Sequence, residues 1–245
     1  MGNKTVNSAQ HQTIADMTFK HAGFYFIFLL VLSIIGFWDS YFSKILDEDN
    51  RYVHFHAITM LLWLILLITQ SILIKNNRQK LHKLIGKFSY VLVPLIIISL
   101  LLLAHDQITI HEYGISYSRL YILFLQISLL VIFVIAYVFA IVFRYSPAHH
   151  ARFMISTALT FIDPIVARIP LNIPPLPFNY QVLTFGLTDF IVLLLIFIER
   201  HQSRGRGVFP AMLIIFIIFQ CLNLTFTRHV IWDNFSLWFA TLPLT

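Results

Sequence analysis

Charge is what this sequence has least of. Asp, Glu, Lys and Arg make up 11% of its 245 residues, against about a quarter in an average soluble domain. With 58% hydrophobic residues and a mean hydropathy of +0.80, so apolar a chain needs lipid rather than a larger core. Cysteine is nearly absent: Cys221 stands alone, which excludes an intrachain disulfide. Glycine is sparse too, with eight in all. Gly23, Gly36, Gly86 and Gly186 are the few at or in apolar runs, so room for a flat macrocycle between helices is limited.

Several familiar signatures are also missing. No G-x-x-x-x-G-K-[ST], G-x-G-x-x-G, H-E-x-x-H or G-x-S-x-G string occurs, which removes the common nucleotide, zinc-protease and serine-hydrolase motifs. There is no D-x-x-x-D pair and no three-box histidine pattern of membrane desaturases. Residues 208–226 lack lysine, which excludes a retinal Schiff base there. Residues 1–20 are polar and show no cleavable signal.

What is present is a series of apolar runs near the roughly 20 residues that cross a bilayer. Seven spans are predicted, at 22–38, 55–74, 88–105, 119–143, 150–167, 182–198 and 208–226. The expected fold is an all-α, seven-helix membrane bundle. Residues 1–21 form a cytoplasmic N-terminal segment, 22–226 the transmembrane domain and 227–245 an outer C-terminal tail. Cation placement sets this orientation. Lys4, Lys20, Lys75, Arg78, Lys80, Lys83, Lys87, Arg144, Arg152, Arg200, Arg204 and Arg206 fall on one side, and Lys44, Arg51, Arg119, Arg168 and Arg228 on the other. The 12 to 5 division places the first group, with the N-terminus, in the cytoplasm and the C-terminus outside. The implied location is the inner cell membrane. The pI near 9.5 therefore reflects topology and does not point to nucleic acid. The outer loop 169–181 is proline-rich, and the loop 105–118 carries His111 and Glu112.

Histidine is the residue to follow inside such a chain, because an ionisable group in a membrane is costly and so tends to be functional. His54 and His56 open the second span. Counting 1.5 Å per residue from the basic ends puts His56, His105 and Asp39 at one level, roughly 28 Å up. Asp163 and Asp189 come out near 15 Å, at the bilayer midplane. Arg152, Ser156, Thr160 and Asp163 share one helical face. Gln126, Gln220 and Asn223 extend the polar set. These residues predict a cavity open to the outside. A transition metal (Zn, Fe or Cu) held by His54, His56 and His105 suits imidazole and carboxylate ligands. It would act on a small or lipid-like substrate, activating water or oxygen, with Asp163 or Asp189 as proton acceptor. Such an enzyme would be a metal-dependent membrane hydrolase or oxidoreductase. Arg119 and Arg168 would meet an anionic headgroup or substrate carboxylate.

Two other readings stand beside it. Haem would be held by His56 with His105 outside, and by His82 with His149 or His150 inside, in a b-type electron carrier. Alternatively, Asp163 and Asp189 form a proton relay in a transporter or sensor. His54 and His56 point about 200° apart on a helix, so both reach one ion only if His54 sits in the non-helical entry. His82, His149, His150 and His201 lie among cations, where contact with lipid phosphate is the plainer role.

The strings GFWDSYFSKIL, VHFHAITMLLWLILLITQSILIKNNRQKLHKLIGK and HHARFMISTAL…DPIVARI together resemble a group of bacterial seven-helix membrane proteins. That group carries a His-x-His-Ala entry to span two and a His-x-x-Arg-Phe/Leu-Met start to span five. The resemblance covers most of residues 20–200. It implies the fold and the residues His54, His56, His82, His149 or His150, Arg152 and Arg168, but no reaction. More distantly, the chain resembles the zinc hydrolases of the adiponectin-receptor and ceramidase class. It departs from them in span seven, where their histidine motif is replaced by Gln220, Cys221 and Asn223.

Overall fold

The computed structural model describes residues 22–108, 114–169 and 179–245. Most of the proline-rich loop, His111, Glu112 and the N-terminal segment lie outside the described residues. The helices are α1 (Ala22–Gly36), α2 (Arg51–Lys75), α3 (Gln79–Gly86), α4 (Ser89–Gln107) and α5 (Tyr117–Val142). They continue as α6 (Pro147–Leu159), α7 (Ile162–Val166), α8 (Gln181–Ile198), α9 (Val208–Thr225) and α10 (Val230–Ala240). No strand occurs among the described residues.

Five segments are long and apolar enough to cross a bilayer: Arg51–Lys75, Gln79–Gln107, Tyr117–Val142, Gln181–Ile198 and Val208–Arg228. The chain is a multi-pass membrane protein. Large apolar side chains such as Phe190, Phe197 and Ile214 stay exposed on the outside of the bundle, as lipid-facing residues do. The two remaining predicted spans are shorter. α1 has 15 residues, about 22 Å of helix against a hydrocarbon core of about 30 Å. The predicted span 150–167 is divided: α6 ends at Leu159, and α7 begins beyond a turn at Thr160–Phe161. Pro164 has no N–H to bond the Thr160 carbonyl, so the helical ladder cannot run unbroken from α6 into α7. The segment read as a C-terminal tail contains helix α10, whose Trp232 indole donates to the Leu120 carbonyl of α5 at 3.0 Å.

Local chemistry sets the ends that matter for the site. The Asn50 side chain accepts from the backbone N–H of Tyr52 at 2.9 Å and caps α2, a favourable use of Asn. The same side chain donates to Asp106 Oδ2 at 2.5 Å, which ties the start of α2 to the end of α4. At the other end Asn77 adopts φ 56°, the left-handed turn that lets α3 fold back.

Packing divides into three apolar clusters. One surrounds Trp63, with Leu67, Leu92, Ile96 and Phe133. A second surrounds Phe209, Met212, Phe216 and Val192, and a third holds Phe124, Trp232 and Phe239. α6 lies against both α5 and α9. Its polar face is inside: Arg152, Ser156, Thr157, Thr160 and Asp163 are all buried. The hydroxyls of Ser156, Thr157 and Thr160 donate to carbonyls three or four residues back, so they are satisfied within the helix. Gly36 lets α1 approach this region, because a Cβ there would stand 2.6 Å from the Ile165 carbonyl oxygen.

Candidate functional site

Asp163 follows the end of α6 directly, because α7 restarts the chain inside the bundle. Its side chain is 2% exposed. Oδ1 accepts from Gln181 Nε2 at 2.5 Å, and Oδ2 is buried with no hydrogen-bond partner among the described residues. The ion pair Arg152–Glu199 is the one found among the described residues, so Asp163 has no cation within bonding range there. Gln181 also donates to Thr184 Oγ1 at 2.6 Å, and Thr184 and Thr188 are both buried on the same face of α8.

Asp163 borders a narrow hollow shared with Ser128, Thr188, Gln220 and apolar neighbours including Ile132 and Phe216. It is about the size of a single water. Gln220 Nε2 donates to Asp189 Oδ1 at 3.1 Å, so Asp189 connects to the same hollow through Gln220. Two further buried polar atoms lack partners among the described residues, the Tyr121 hydroxyl and Asn223 Oδ1. Asn223 Nδ2 donates to the Tyr121 carbonyl at 3.3 Å, and Asp163 and Tyr121 are close enough to interact electrostatically. An unpaired buried polar atom costs about 1–3 kcal/mol. Asp163 Oδ2, the Tyr121 hydroxyl and Asn223 Oδ1 are three of the five such atoms among the described residues.

The histidines expected to hold a metal are distributed differently. Both ring nitrogens of His54 are engaged. Nε2 donates to the Glu48 carbonyl at 2.7 Å, and Nδ1 lies 3.0 Å from the Tyr41 hydroxyl. His54 therefore fastens the 37–50 connection to α2. His56 Nδ1 is 3.3 Å from Ser99 Oγ. Ser99 also meets the Thr59 hydroxyl at 2.9 Å and donates to the Ile96 carbonyl, so His56 belongs to a hydroxyl network between α2 and α4. His105 instead places Nδ1 2.6 Å from Thr245 Oγ1 and packs its ring edge on Phe239. Its Nε2 is buried without a partner among the described residues.

Register explains why His56 and His105 are not opposed. Gln70 accepts from the Gly86 N–H at 3.1 Å. His56 is 14 residues above Gln70, and Ser99 is 13 above Gly86. His105 is six residues further on, about 9 Å along α4. Asp39 is exposed in the connection after α1. Among the described residues no three of His, Cys, Asp and Glu converge as metal ligands would.

Arg168 donates to the Pro164 carbonyl at 2.9 Å and its guanidinium lies 4.6 Å from the Phe37 ring centre. Its charge acts on both His56 and Asp163. Arg119 is exposed beside the Gln126–Gln107 hydrogen bond, in a separate shallow groove.

At the basic end, His82 and His150 do meet, edge to face, with ring centres 6.3 Å apart. Gln70 donates to His82 Nδ1, which leaves the proton on Nε2, the nitrogen a haem iron would need bare. His149 is turned away, with Nδ1 2.8 Å from Ser146 Oγ and its ring stacked on Phe143. His201 accepts from Arg200.

Glu199, Gln181 and Tyr121 are residues that sequence reasoning passed over. The spacing Gln181–Thr184–Thr188 is a polar helical face and was a usable signal. Glu199 gave less warning, since an acid at a helix end reads as solvated. No protein-family model, no curated protein and no solved structure matches the chain.

Proposed function

We propose that the protein is a proton-coupled membrane transporter in which Asp163 takes up and releases the proton. One observation carries this reading: a carboxyl group 2% exposed that lines a water-sized hollow, with one oxygen bonded to Gln181 and the other without a partner among the described residues. A buried carboxylate without a bonded cation is costly and must be neutralised. The space beside Asp163 suits a proton or a water better than a large guest. Asp189, held by Gln220 on the same hollow, is the second carboxyl on the route. The uncharged neighbours Thr184, Thr188, Ser128 and Gln181 offer donors and acceptors without fixing the charge state.

The transition-metal reading has one supporting feature, the buried His105 Nε2 that lacks a partner among the described residues. Against it, the Arg168 charge acts on both His56 and Asp163, so a second cation would meet like charge. A proton is the smaller demand.

The test is voltage-driven proton movement in vesicles reconstituted with the full chain and loaded with a pH-sensitive dye. Vesicles with native protein are expected to change internal pH well above the protein-free rate. Asp163→Asn should fall to the protein-free rate, and Asp189→Asn should fall partway. Equal fluxes in native protein and Asp163→Asn would exclude this role.

A further inference from the structure

The basic end of the bundle holds an unassigned pair of imidazoles whose hydrogen bonds define what each presents. Gln70 is buried in α2, and its amide orientation is dictated by two unambiguous neighbours. Its oxygen accepts from the Gly86 N–H, and its nitrogen donates to the His82 carbonyl at 3.1 Å. The same nitrogen therefore donates to His82 Nδ1, and neutral His82 carries its proton on Nε2. His150 is fixed the opposite way. Its Nδ1 lies 2.8 Å from the Ala140 carbonyl, one of the last-turn carbonyls of α5 that a helix leaves open. A carbonyl only accepts, so Nδ1 holds the proton and Nε2 has a lone pair. The rings thus offer one donor and one acceptor at the junction of α2, α3, α5 and α6.

Charge at this junction is one-sided. The sequence has no Asp or Glu at 50–105 or at 113–162. Lys83 acts on His82, and Lys80, Lys87, Arg78 and Arg144 lie on the adjoining segments. Of the nearby charges, Arg152 is committed to Glu199 at 2.7 Å, and His149 is held by Ser146. The cations around His82 and His150 therefore have no acidic partner among the described residues.

We infer that His82, His150 and Lys83 form a binding site for a phosphate monoester. A monoester is anionic and also carries a proton near neutrality, its second pKa being about 6. It can accept from His82 Nε2–H, share its proton with His150 Nε2, and place its charge beside Lys83. A phosphodiester has no such proton and meets the His150 lone pair with an acceptor. A metal ion meets a protonated His82 Nε2 and Lys83. The monoester is therefore preferred to both. It could reach this depth as a lipid headgroup or as a soluble phosphate.

The experiment measures binding calorimetrically to the detergent-solubilised full chain. The probes are a short-chain diacylglycerol phosphate, the matching phosphatidylglycerol and inorganic phosphate. The monoester lipid is expected to bind about tenfold more tightly than the diester, the worth of one charge-assisted hydrogen bond. Competition by inorganic phosphate at similar concentration would identify a soluble ligand, and lack of competition would identify a headgroup. In folded His82→Gln and His150→Gln the preference should disappear. Equal binding of monoester and diester by the native protein, which depends on no variant, would overturn the inference. So would an undiminished preference in folded His82→Gln.

Discussion

Arg152→Ala is expected to lower the melting temperature of the detergent-solubilised protein by on the order of 10 °C. That corresponds to the roughly 3–5 kcal/mol lost when one member of a buried ion pair is removed. The side chains of Arg152 and Glu199 are only 5% and 2% exposed, and Nε donates to Oε2 at 2.7 Å. Arg152 also donates to the Ala148 carbonyl at 2.6 Å. Truncation would leave the Glu199 charge buried beside an oxygen, Oε1, that already lacks a partner among the described residues. Gly205 closes the basic turn over this pair. It has φ +76°, and a Cβ there would lie 2.8 Å from Arg152 Nη1. Replacing both charges, as Arg152→Met with Glu199→Leu, should recover most of the loss, because buried pairs are often no better than apolar residues of similar volume. An unchanged melting temperature in Arg152→Ala alone would show that the pair does not hold α6 to the end of α8.

Trp63→Ala is the second large effect, expected to cost about 3–5 kcal/mol as large core truncations do. Trp63 is fully buried. It meets Phe133 and Tyr137 edge to face at 5.1 and 5.8 Å, and its indole donates to Thr157 Oγ1 at 3.3 Å. One side chain thus joins α2, α5 and α6. Trp63→Phe keeps the ring contacts and loses the donor, so its cost should be about 1 kcal/mol. Thermal melting of the two variants separates packing from hydrogen bonding. Equal losses in both would assign the effect to the indole N–H alone.

How far the sequence carried depends on the residue considered. The run 55–74 found α2 within a few residues, because its apolar length is unambiguous and Asn50 caps it. α1 and the divided α6–α7 segment were harder. Apolar content alone does not reveal the turn at Thr160–Phe161, which stops a helix just before the carboxylate it presents. Asp163 itself stood out as a charge within an apolar run. Its partner Gln181 did not, since 18 residues and the proline-rich loop separate them. Depth counting placed His56 and His105 together because it started from the basic ends. The Gln70–Gly86 contact sets a different register and gives His56 to Ser99. Tautomers were invisible at that stage, being fixed by carbonyls and amides that only the fold brings close.

The proton-coupled reading depends on whether Asp163 titrates inside the bundle, and infrared difference spectroscopy across an acid-to-alkaline titration measures this directly. The native protein should show a protonated-carboxyl C=O stretch that appears on acidification. That band should be absent from Asp163→Asn and retained in Asp189→Asn. A spectrum that is the same in native protein and Asp163→Asn would contradict the account, because the buried carboxyl would then exchange no proton.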